Sequence, residues 1–141
     1  MPDSLGPDEY NSTQLAINLM ILQMNDIECQ ITKNSEDNRL LHKHQSTDVE
    51  GVQYRYGSEI KQVRNDMREC EDKTSNEYFE LMSELEELEE NRDAEIKRIE
   101  NETTDKEQFY EAQKTTLETQ YEAVKADKEG IEQMQESNLK N

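Results

Sequence analysis

His42 and His44 form an H-x-H pair, a spacing that on a strand aims two imidazoles at one ligand but on a helix turns them to different faces. The nearest acids, Glu36, Asp37 and Asp48, stand at no recognisable ligand spacing and no cysteine is close, so the pair reads as solvated histidines in a polar linker and no metal is expected. Cys29 and Cys70 are too few for a disulfide framework. Cys70 falls on an apolar series, where a reduced thiol acts as a small knob, and neither cysteine has the histidine that a nucleophile requires. Asn11-Ser12-Thr13 and Asn101-Glu102-Thr103 match the glycosylation acceptor triplet, a pattern frequent by chance. The acidic runs lack the order of a calcium loop, and no glycine loop could cradle a phosphate. These residues imply no catalytic site, no cofactor and no small-molecule substrate: the chain reads as a non-enzyme.

Composition turns the question toward assembly. Of 141 residues only 31% are apolar, 35% are charged and 6% are aromatic, with no tryptophan. The mean hydropathy is −1.19. Such a chain cannot build a globular core of ordinary size, so it is either disordered or buries narrow stripes between helices. The net charge of −18 repels nucleic-acid phosphates and anionic membranes, which leaves other proteins as the expected partners. The most apolar stretch, Leu15 to Met24, is about half the length a bilayer crossing needs. Asp3, Asp8 and Glu9 stand before it where a secretory signal would be basic, so the expected location is cytoplasmic, or exported without a cleaved signal.

The apolar spacing predicts an all-α fold of five segments. Residues 1–11 hold both prolines and Gly6 and read as a flexible arm. Residues 12–34 read as an apolar oligomerisation helix: Ile17, Met20, Met24, Ile27 and Ile31 are spaced 3, 4, 3 and 4, with Leu15, Leu19 and Leu22 expected beside that series to widen the stripe. Residues 35–57 are polar apart from a few positions and end between Gly51 and Gly57, which suggests a connector. Within it Val52, Tyr54 and Tyr56 alternate with polar residues, so an extended link or the start of the next helix fits there.

Residues 58–137 read as a long acidic coiled-coil helix, with 138–141 as a tail. Its seam runs through Ile60, Val63, Met67, Cys70, Thr74, Tyr78, Leu81, Leu85, Leu88, Arg92, Ile96, Ile99, Thr103, Lys106, Tyr110, Gln113, Leu117, Tyr121 and Val124. From Ile60 to Val124 there are 64 residues (124 − 60) in 18 steps, a mean of about 3.56, which predicts a weak supercoil. Thr74 with Glu77 and Thr104 with Glu107 have capping-box spacing and mark two places where the helix could stop. Whether it is continuous or one arm of a helical hairpin stays open at this level.

Between Glu77 and Glu111 fourteen acids face four bases, 4 − 14 = −10, so a parallel pairing of identical copies is opposed by like charge. A reversed or more basic neighbour would relieve it, and Lys61, Arg64 and Arg68 form a candidate counterpart. The function expected from this pattern is a structural or assembly protein that joins a homo-oligomer or a helical partner protein as a filament, scaffold or appendage subunit. The layout resembles that of small secreted filament or translocator subunits and of viral or phage scaffolding components. A chaperone or adaptor that receives a client helix on the wide stripe is the alternative, and an acidic decoy of a nucleic-acid-binding protein a third.

Overall fold

The structure, a computed structural model, describes residues 6–140, with side chains to residue 138. The first five residues of the expected arm and the last residue of the expected tail lie outside them. Of the described residues 95% are helical and none is in a strand. Two long helices, α1 (Pro7–Glu69) and α2 (Asn76–Lys140), pack together as a helical hairpin. Among the described residues no helix is long and apolar enough to cross a membrane.

Helix α1 starts earlier than residue 12, and Pro7 explains why. Gly6 precedes the first helical residue, Pro7, whose fixed φ and missing N–H suit that position. The carboxylate of Glu9 accepts a hydrogen bond from the Gly6 amide at 3.2 Å, and Tyr10 N donates to Gly6 O at 2.9 Å. Asp8 and Glu9 also place negative charge against the exposed amides of the first turn.

The expected connector at 35–57 is not a break: it is helical throughout. Its seam positions keep the three-four spacing as Asn38, Leu41, Gln45, Val49, Val52 and Tyr56, each buried or half-buried, but polar residues occupy several of them. Val52 and Tyr56 are one helical turn apart on the packed side, while Tyr54 points outward, so the alternation of the sequence marks no strand. The separate short N-terminal helix and the single 58–137 helix are therefore replaced by two helices of nearly equal length, 63 and 65 residues.

The chain reverses at Cys70–Ser75, near one of the two capping-box sites, without glycine or proline. Asp72 organises the turn by accepting from the Thr74 amide (2.9 Å) and the Thr74 hydroxyl (2.6 Å). Ser75 caps α2, its Oγ accepting from Tyr78 N at 3.2 Å, so the cap lies one residue beyond the expected Thr74. Lys73 donates to Met67 O and to Arg68 O (3.2 Å), satisfying carbonyls at the end of α1. Cys70, expected as a seam knob, is instead the first residue of this turn, half-buried near the Ser75 hydroxyl at 3.7 Å.

Contacts group the chain into two compact units, one joining α1 up to Asn38 with α2 from Phe109, the other Arg39–Gln108. In the first unit the helices run antiparallel: Gln135 Nε2 donates to Thr13 Oγ1, and Asn34 Nδ2 donates to Tyr110 O at 3.0 Å. Ile17, Ile27 and Leu117 are its buried apolar side chains. In the second unit Arg55 pairs with Glu95 and Arg64 with Glu89, again in reversed order, around buried Val52, Ile60 and Val63.

Gly51, Gly57 and Gly130 all lie inside helices, and a Cβ added at any of them meets no atom within 4 Å. Replacing Gly51 or Gly57 by alanine should raise stability by about 1 kcal/mol each, the ordinary helix-propensity difference. Chemical denaturation of the single variants and the pair checks this. A loss of stability at either position would show that these glycines do more than continue a helix.

Candidate interaction surface

The residues expected at an oligomer interface divide into two sets. Ile17, Ile27, Ile60, Val63 and Leu117 are buried, and Met20, Met24, Ile31, Met67, Tyr78, Leu81, Leu85, Leu88, Ile96, Ile99, Tyr121 and Val124 are half-buried. All of these sit on the packed sides of α1 and α2, so the seam they form is occupied within the chain itself. The spacing slips by one residue on α2: Glu107 and Lys114 are half-buried, whereas the expected Lys106 and Gln113 are exposed. The two consecutive four-residue steps of the expected seam, Gln113 to Leu117 to Tyr121, thus move to Ile99, Thr103 and Glu107, after which Tyr110, Lys114, Leu117, Tyr121 and Val124 alternate steps of four and three.

The second set is Leu15, Leu19 and Leu22, which are 60%, 53% and 63% exposed. They do not lie beside the seam as expected. At about 100° per residue they stand about 140–200° around the helix from Ile17, on the side of α1 opposite the seam. Ile21 is also exposed, on the flank between the two faces. All four fall within Tyr10–Asn25, sixteen residues without an Asp, Glu, Lys or Arg, the longest such run in a chain of net charge −18. Here α1 is apolar on two opposite sides and α2 covers only one.

Polar residues tune the packed side. Asn34 is 5% exposed, and while its amide donates to Tyr110 O its Oδ1 has no partner; the buried Asn38 Oδ1 has none either. A buried amide in a helix seam costs stability but favours the register in which it is best satisfied. In the second unit α1 carries six bases and five acids from Arg39 to Glu69 (6 − 5 = +1), against four bases and thirteen acids on α2 from Asn76 to Gln108 (4 − 13 = −9). The reversed, more basic neighbour that the acids require is α1 of the same chain. Arg64 contributes as expected, joined by Arg55, while Arg68 donates to Asn65.

His42 Nε2 meets Glu107 at 3.0 Å, and His44 is exposed. Among the described residues no three His, Cys, Asp or Glu side chains come together as metal ligands. Both glycosylation triplets end on packed threonines: Thr103 is buried and donates to Ile99 O at 2.8 Å, and Thr13 is half-buried and donates to Tyr10 O at 2.9 Å. Comparison of the chain with protein-family models, curated proteins and solved structures gave no match.

Glu95 links the helices of the second unit. Hydrogen bonds from Arg55 and then Tyr56 hold its carboxyl below the ordinary glutamate range, and the same contact raises Tyr56. A carboxyl lowered in the folded state contributes stability above its ordinary range and loses it as pH falls through the lowered value. Glu95→Gln should therefore lower the melting temperature at neutral pH, with the gap to the wild type closing in acid. Thermal unfolding of both proteins across that range checks the sign; a gap that persists in acid would separate the effect from Glu95 ionisation.

Proposed function

We propose that this chain is a structural or assembly protein, a filament, scaffold or appendage subunit, that works by coiled-coil packing of its α1 outer face against another helix. The observation that carries this reading is the exposed row Leu15, Leu19 and Leu22 on the side of α1 away from α2. Large apolar side chains scattered singly on a surface need no explanation, but a row at steps of four and three is the spacing of a helix seam. A seam of that kind binds by shape and apolar contact and needs no chemistry from its partner.

Charge supports the same reading. Acidic residues elsewhere on the chain keep it dispersed and oppose indiscriminate association, so contact is steered to the uncharged segment. The intramolecular seam supports it from the other direction. Each unit has three buried apolar side chains, and the most buried of them, Ile60, keeps 3% of its surface. Two helices side by side leave their outer faces uncovered, and bundles become well packed when further helices are added.

Native mass spectrometry of the complex recovered from its own cells tests the proposal. The expected result is a multiple of the 16.6 kDa chain mass. A defined complex with a different protein would favour the adaptor reading, and a single free chain would contradict both.

A further inference from the structure

We infer that the occupant of the Leu15, Leu19 and Leu22 face is a second copy of this chain, paired antiparallel about a two-fold axis close to Leu19. The inference rests on the assembly reading above and adds the partner and its orientation. Its basis is the charge pattern along the stripe. Continued at the same spacing, the row passes through Asp8 and Ser12 before Leu15, and through Asp26 and Cys29 after Leu22.

A parallel pair would set Asp26 against Asp26 and Asp8 against Asp8 within the seam, and like charges directly opposed in a packed seam are unfavourable. An antiparallel pair takes each Asp off its own copy and sets Asp8 opposite Cys29, one helical turn from the copy's Asp26. When facing residue numbers sum to about 37, Leu15 lies opposite Leu22, Leu19 lies beside its copy, and Asp26 meets the neutral Asn11. Because α1 begins at Pro7, residues beyond about Gln30 then face no α1 of the partner, so the contact between the two α1 helices is confined to about residues 7–30. The uncharged run Tyr10–Asn25 is the part of an acidic chain that can meet its own copy without repulsion, which a foreign partner would not require.

The other candidate surfaces are weaker. Phe79 and Met82 are exposed near the start of α2, but Glu80, Glu84 and Glu87 surround them and would oppose a second copy. Tyr54 and Phe109 are exposed singly and form no row.

Sedimentation equilibrium of the purified full-length chain, with a Leu15→Gln, Leu19→Gln, Leu22→Gln variant beside it, tests the partner. The wild type is expected at 2 × 16.6 = 33.2 kDa and the variant at 16.6 kDa, with the same helical circular dichroism, because these side chains are exposed and glutamine is a good helix former. Crosslinking tests the orientation in a Cys70→Ser background. Antiparallel pairing holds the two Cys29 residues about 30 Å apart along the axis, far beyond disulfide reach, and brings residue 8 close to Cys29 of the copy. Mild oxidation should leave Cys29 uncrosslinked, and adding Asp8→Cys should yield a covalent dimer.

A wild-type chain at 16.6 kDa at every concentration overturns the second copy as occupant, and a heavier native complex would then leave the assembly reading standing. A dimer that survives the triple variant overturns the stripe, and a Cys29-to-Cys29 crosslink overturns the antiparallel arrangement. If the triple variant loses helix, the two crosslinks in the leucine-bearing chain decide the matter.

Discussion

Packing in both units depends on one constraint: a chain in which 35% of residues are charged has only a narrow apolar line to bury, and that line must find another at helical spacing. The turn at Cys70–Ser75 supplies the second line from the same molecule. Asp72, Ser75 and Lys73 make the reversal by side-chain hydrogen bonds to the backbone, closing both helix ends without a left-handed residue. Reversal also places the nearly neutral stretch of α1 against the acidic stretch of α2 in the second unit. Exposed ion pairs such as Arg64 with Glu89 contribute little individually, but the charge difference between the two faces favours this pairing over acid against acid.

The two units use the same seam with different chemistry. In the first, buried amides of Asn34 and Gln135 reach backbone or hydroxyl oxygens of the neighbouring helix between apolar positions. In the second, arginines at the edge of the seam reach glutamates. An amide in a seam gives up stability for a preferred register, whereas edge ion pairs select the neighbour's charge. The exposed leucine row is the surface on which the proposed assembly role rests.

Part of this was legible in the sequence. The steps Ile17, Met20, Met24, Ile27, Ile31 and Tyr78, Leu81, Leu85, Leu88 gave helices and their packed sides, because apolar residues occupied those positions. Between residues 35 and 57 the same geometry was hidden, since Asn38 and Gln45 hold seam positions and composition there resembles a linker. The turn was hidden for the opposite reason: Cys70, Thr74 and Tyr78 keep a four-residue rhythm through a segment that is not helical, and no glycine or proline marks it. Leu15, Leu19 and Leu22 were visible as apolar residues, but only their angle around the helix separates a wide single stripe from two opposed faces. Which helix fills the first face is a matter of tertiary pairing that spacing alone does not encode.

A hairpin completed by association depends on chain concentration for its stability, because a partner that binds only the folded form adds to its stability by mass action. Thermal unfolding of the purified chain, followed by circular dichroism across a wide concentration series, measures that dependence directly. A melting temperature that rises with concentration is expected. A melting temperature that stays constant would contradict it, showing that the two helices need no further neighbour.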